Sequence, residues 1–124
     1  MGIVKRVLCR ERLRRVPEQF SWIDQRLVRD KYICRLSHPA LALYLFLVTV
    51  ADAQGLSYYG DPSLSQFLSL DATALIHARQ ELRAAKLIAY QKPLYQVLSL
   101  DEPRRSESGP ALLGDILRDI AEKK

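Results

Sequence analysis

Thr73, Ile76, His77, Gln80 and Arg83 recur every three or four residues, except for the adjacent pair 76–77, so a helix would gather them on one face. Glutamine and arginine can each make two parallel hydrogen bonds to a base edge, to adenine and guanine respectively, while threonine and isoleucine can touch a thymine methyl. The chemistry this set offers is recognition rather than bond-making. A polar face on a helix is also what ordinary solvation produces, so the weight of the set depends on the elements that present it.

Those elements can be read on either side. Leu75, Ala78, Leu82 and Ala85 follow at spacings of three, four and three, a narrow apolar stripe that turns one side of a helix over 72–85 inward and leaves the reading set outward. Asp71 supplies an acceptor cap for it. Upstream, Asp61 is placed to cap a shorter helix, Pro62 sits where a missing amide hydrogen costs nothing, and Leu64, Phe67 and Leu68 give residues 63–68 one apolar face. Ser69-Leu70 makes the turn between the two. After Lys86 the pattern becomes extended: Leu87, Ala89, Tyr95, Val97 and Leu98 flank a turn at Gln91, Lys92 and Pro93. Helix, tight turn, helix and two-stranded ribbon is the layout of a winged helix-turn-helix, used mainly to enter a DNA major groove. Gln91 and Lys92 at the ribbon tip are then candidate phosphate contacts. The fold class expected is α+β, mainly helical with a small hairpin wing.

The run from Leu75 to Ile88 resembles the recognition helix and following Gly-Leu-Ile of bacterial winged-helix regulators. Leu36-Ser37-His38-Pro39-Ala40-Leu41-Ala42-Leu43-Tyr44-Leu45 and Ala51-Asp52-Ala53-Gln54-Gly55 are similar to the N-terminal winged-helix domains of phage and plasmid replication initiators and of DnaD-type primosomal proteins. The resemblance spans roughly residues 20–100 and implies DNA binding, in a regulator or in a replication factor. Two departures carry structural consequences. Lys86 stands where such proteins usually have glycine and must take the left-handed conformation at the helix end. Arg79 stands where they often have an apolar residue, so it points inward and needs a partner such as Asp52 or Glu81.

Residues 37–53 form the core helix of this domain, because Leu41, Leu43, Tyr44, Leu45, Phe46, Leu47, Val48 and Val50 make it apolar on nearly all sides and call for burial on more than one face. Its apolar stretch is shorter than the roughly 20 residues a bilayer requires. His38 belongs to the capping region of this helix rather than to a catalytic pair. Leu56, Tyr58 and Tyr59 suit a short strand against the hairpin; the tyrosines are packing residues first and base-stacking platforms second. Phe20, Trp22, Ile23, Leu27 and Val28 suggest a short packed helix, folded on the core helix or on a second subunit.

Charge is unevenly placed. Residues 1–36 hold ten lysines and arginines against four acids, residues 37–100 four against four, and residues 101–124 five against six. Lys5, Arg6, Arg10, Arg12, Arg14 and Arg15 make residues 1–19 a basic arm able to follow a phosphate backbone or lie in a minor groove, where counterion release supplies affinity without sequence choice. The bland alternative is a solvated tail. Residues 101–110, with Pro103 and Gly109, read as a linker. Beyond it, in residues 111–124, Leu113, Ile116, Leu117 and Ile120 mark an amphipathic helix too short to stand alone in water. It folds back on its own domain or pairs with its copy in a dimer, and reading of two half-sites slightly favours the dimer.

With 124 residues, 48% hydrophobic and 27% charged, the chain has the composition of one soluble globular domain with extensions. Cys9 and Cys34 have no Cys-x-x-Cys spacing and no neighbouring histidine cluster, which speaks for reduced thiols in a cytoplasm and against a metal. No signal peptide is evident, and Arg6 excludes the Ser or Thr of a myristoylation signal. With only His38 and His77, no phosphate loop and no nucleophile elbow, no catalytic site and no cofactor are expected. The expectation is a double-stranded-DNA-binding regulator or replication accessory factor, with duplex DNA, a second copy and a transcription or replication protein as partners. The alternative is a winged-helix protein-interaction module that does not read DNA; single-strand binding through the tyrosines and the arm is weaker.

Overall fold

A computed structural model of the chain describes residues 2–100. The linker, the C-terminal amphipathic helix and its proposed dimer contacts Leu113, Ile116, Leu117 and Ile120 lie outside the described residues.

Four helices and three strands follow in the order α1 (Arg26–Arg29), α2 (His38–Val50), β1 (Leu56–Tyr58), α3 (Asp61–Leu68), α4 (Ala72–Ala84), β2 (Ile88–Gln91) and β3 (Leu94–Val97), with single 3-10 turns at Arg10–Arg12 and Ile33–Arg35. The body is mainly helical with a small antiparallel sheet, as an α+β reading requires. The sheet order is β1-β3-β2. β2 and β3 form a hairpin across Lys92-Pro93, with Gln91 opposite Leu94 and Ile88 opposite Val97, and β1 pairs with the outer side of β3 through Leu56 opposite Gln96. β3 is thus the central strand, and its Tyr95 is fully buried.

The core lies where α2, α4 and the sheet meet. Leu43 and Leu47 of α2, Leu64 of α3, Leu75 and Leu82 of α4, and Leu87 are all fully buried. α2 is shorter than the hydrophobic run suggests. Ser37 caps it by accepting from the Ala40 amide at 3.3 Å, and it ends at Val50 because Asp52 ties its carboxylate to the amides of Gln54 and Leu56 and turns the chain into β1. His38 is the first helical residue, and the cap is its neighbour. Burial reaches Ala40, Leu43, Tyr44, Leu47 and Val48, one broad face, but leaves Leu45 54% exposed. The all-round burial expected of this helix is not realised, because a domain of this size offers only one layer to pack against.

Three local expectations are corrected. The first helix of the pair starts at Asp61, not Ser63; Gly60 precedes it as an uncapped N-cap, and the Asp61 carboxylate is used elsewhere. Phe67, expected inside with Leu64 and Leu68, is 67% exposed and stacks at the surface against Phe46, 5.1 Å between ring centroids. Residues 20–28 are not a packed helix. Only Arg26–Arg29 are helical and only Leu27 is buried, while Phe20, Trp22, Ile23 and Val28 face solvent. The segment is held instead by polar bonds: Asp24 accepts from the Arg26 backbone and guanidinium, and the Ser21 hydroxyl donates to the Thr49 carbonyl at 2.9 Å.

Candidate nucleic-acid interface

α4 begins as its sequence predicts, with the Asp71 carboxylate accepting from the Ala74 amide at 2.7 Å. Leu75, Ala78 and Leu82 are buried and Ala85 is half-buried, so the inward stripe is in place. Thr73, Ile76, His77 and Gln80 are exposed on the other side, clear of the core. Arg83 is exposed as well, but its guanidinium leans over Tyr90 of β2, 5.9 Å from the ring centroid. The structure therefore places four of the five candidate residues on the exposed side of α4 and sets the Arg83 guanidinium beside the hairpin.

Arg79 does turn inward and is only 8% exposed. Its partners are not Asp52 or Glu81. Nη1 donates to Asp61 Oδ1 at 2.9 Å and to the Tyr95 hydroxyl at 2.7 Å, Nη2 donates to Asp61 Oδ2 at 3.2 Å, and the guanidinium carbon lies 4.4 Å over the Tyr90 ring. One side chain on α4 thereby holds the first turn of α3 and both strands of the hairpin. Hydrogen bonding by Arg79 holds the Asp61 carboxyl below its ordinary value, with Lys92 at the hairpin tip acting in the same direction. Burial works against the charge on Arg79, yet the bonds to Asp61 and Tyr95 outweigh it and raise its pKa. Burial pushes the Tyr95 hydroxyl up, which keeps it neutral and able to accept from the guanidinium.

Asp52 and Glu81 have other tasks. Asp52 closes the turn into β1, and Glu81 accepts from both the amide and the hydroxyl of Ser37, at 2.6 and 2.7 Å, pinning the start of α2 to α4. Arg83 and Lys86, by contrast, have no carboxylate partner among the described residues. Among the described residues, the body thus presents two cations without a carboxylate partner at the C-terminal end of α4. Lys86 has φ of 64°, the left-handed helix end expected of it, and its amide bonds back to the Arg83 carbonyl at 3.0 Å. Ser69 takes the same conformation in the turn between α3 and α4, with φ of 55°.

Gln91 and Lys92 are exposed at the hairpin tip, which is tied to the body by the Tyr59 amide donating to the Pro93 carbonyl at 3.2 Å. No family model matches this chain, and comparison with curated proteins and with solved structures found nothing similar. What the chain does must therefore be argued from its own surfaces. Lys5, Arg6, Arg10, Arg12, Arg14 and Arg15 are exposed, and among the described residues the arm bonds within itself, the Arg12 amide to the Cys9 carbonyl and the Cys9 thiol to Glu11. Among the described residues no hydrogen bond or ion pair joins the arm to α4. Cys9 and Cys34 are both free and exposed. Among the described residues no three His, Cys, Asp or Glu side chains converge as a metal site would need, and no helix is long and apolar enough to cross a membrane.

Sequence reasoning does not find Asp61 as the partner of Arg79, or Tyr90 as the surface under Arg83. The signal comes from the resemblance, which sets Arg79 where such proteins often have an apolar residue. It announces that a partner exists, and a separation of 18 residues along the chain hides which one.

Proposed function

We propose that the chain binds double-stranded DNA as a winged helix-turn-helix, with the outward face of α4 in the major groove and the hairpin tip and basic arm on the phosphates. The supporting observation is the exposed Thr73, Ile76, His77 and Gln80 on a capped, core-anchored helix whose far end carries Arg83 and Lys86, without carboxylate partners among the described residues. Thr73, Ile76 and Gln80 supply apolar and bidentate contacts to base edges; Arg83, Lys86, Gln91 and Lys92 supply phosphate contacts that set register. Lys5, Arg6, Arg10, Arg12, Arg14 and Arg15 supply affinity that does not depend on sequence. No catalytic step and no cofactor belong to this function, and the same surface serves a transcription regulator or a replication accessory factor.

The test is selection of duplexes from a random pool, followed by anisotropy titration of the selected site. Gln80→Ala should weaken binding by about 1–3 kcal/mol and relax preference at one base pair; Arg83→Ala should weaken it across sequences, and neither should move the melting temperature, because both side chains are exposed. An unselected pool with no duplex binding would favour the second reading, a protein-docking module. That reading draws on a surface aromatic group, in which Phe46 meets Tyr59 edge-on at 5.0 Å and Phe67 at 5.1 Å.

A further inference from the structure

Two arginines of α4 meet the ring of Tyr90 on β2. The Arg79 guanidinium carbon stands 4.4 Å from the ring centroid and the Arg83 carbon 5.9 Å. Two like charges four residues apart on a helix repel, so a second cation beside Arg79 needs a reason. Arg79 directs its charge at Asp61 through two hydrogen bonds. Arg83 has neither a carboxylate nor a hydrogen-bond acceptor for its guanidinium among the described residues, and the contact it does make is with the electron-rich face of Tyr90. The ring itself is fixed. Tyr90 stands opposite Tyr95 in the hairpin, the two rings lie 4.5 Å apart at 39°, and Tyr95 is fully buried with its hydroxyl bonded to Arg79.

We propose that Tyr90 is the positioning residue for Arg83, a half-buried ring that aims an exposed guanidinium at a DNA phosphate beside the hairpin without neutralising it. This rests on the DNA-binding reading and adds to it the group that orients one of its phosphate contacts. A carboxylate in the same place would fix Arg83 as well, but would cancel its charge and occupy the planar fork of N–H donors that fits a phosphate bidentately. An aromatic face attracts the cation through its quadrupole and leaves those edge donors open. An arginine loose in water gives up much of its rotamer freedom when it meets a phosphate; a stacked one has less to give up, so the ring raises affinity by preorganisation. Arg79 completes the arrangement. Held by Asp61 at 2.9 Å and by the Tyr95 hydroxyl at 2.7 Å, it packs on the same ring, so the place of Arg83 relative to α3 and the hairpin is set from the core outward.

The contact and its consequence are measured separately, on the full chain. In the free protein the Arg83 Nε–Hε proton, assigned by its loss in Arg83→Lys, should resonate upfield of those of the arm arginines, because the Tyr90 ring current reaches it. Tyr90→Phe should keep that shift and Tyr90→Leu should abolish it. With the selected duplex, Tyr90→Leu should weaken binding roughly two- to fivefold, the scale of an exposed cation–π contact, and Tyr90→Phe should restore it. In an Arg83→Ala background the same Tyr90→Leu change should cost nothing further, a non-additivity that a merely structural ring would not produce. An Arg83 proton at the arm position in the unaltered chain, a result that needs no Tyr90 variant to fold, would overturn the proposal. Equal losses from Tyr90→Leu with and without Arg83 would overturn it too, and would leave the DNA reading standing. An unaltered chain that binds no duplex would defeat that reading and this proposal with it.

Discussion

Arg79 occupies a place in the α4 stripe where an apolar side chain would be the simpler choice, and the fold is arranged around satisfying it. Asp61, Tyr95 and the face of Tyr90 converge on one guanidinium from three different elements. Asp61→Asn should destabilise the protein by about 1–2 kcal/mol, less than the ~3–5 kcal/mol of breaking a fully buried pair because the Asp61 side chain is 42% exposed and its attraction is screened. The sign with pH follows from the lowered carboxyl. The contribution is complete above the ordinary aspartate value of 3.8 and is lost as pH falls through the folded value, so acid denaturation of Asp61→Asn should begin from a lower plateau and be shallower. Urea melts at pH 7 and pH 3 check this: an equal loss at both pH values would show that the charge of Asp61 contributes nothing. The inward turn of Arg79 is what the resemblance implies. Its partner is not, since the side chain that meets it is fixed by how α3 packs on α4.

Among the elements, the sheet depends on a turn that only one residue type fits. Gly55 has φ of 85°, donates to the Asp52 carbonyl at 2.9 Å and accepts from the Val97 amide at 2.8 Å, so it both closes the turn after α2 and starts the pairing of β1 with β3. A Cβ there would stand 2.7 Å from the Val97 carbonyl oxygen. Gly55→Ala combines that clash with left-handed backbone strain and should cost more than about 1 kcal/mol, with amide exchange rising first at Val97 and Leu56. Unchanged protection at both amides would mean that β1 does not need this turn. The glycine is conspicuous in the sequence, and the pairing of β1 with the hairpin follows from Leu56 and Tyr58. Asp52 and Gly55 announce that the helix in front stops near residue 53, but not that the Asp52 side chain captures the amides ahead of it and ends the helix at Val50.

At the scale of the whole molecule, basic charge and the proposed recognition surface sit on different parts of the chain, the arm before residue 20 and the face of α4. If the arm supplies affinity and α4 supplies choice, deleting residues 2–15 should flatten the dependence of log affinity on log salt by about 0.9 for each phosphate that the arm had neutralised, and leave the selected sequence unchanged. An unaltered slope would show that the arm lies off the duplex.

The sequence by itself determined the elements whose signals are local. Asp71 and its hydrogen-bonding reach, the three-four periodicity of Leu75, Ala78 and Leu82, and the change to extended residues after Lys86 depend only on neighbours a turn or two away, and each reappears in the structure. The left-handed Lys86 was anticipated through the resemblance alone, which sets it where glycine is usual. Tertiary structure decided everything that joins residues distant along the chain. Asp61 serves Arg79 instead of its own helix, Glu81 holds Ser37 instead of a neighbouring cation, and Phe20 and Trp22 wall a cleft instead of entering the core. A hydrophobic side chain declares that it prefers burial and a charged one that it needs a partner. Which surface or partner is within reach is set by how the helices pack on the sheet, and no spacing in the sequence encodes that distance.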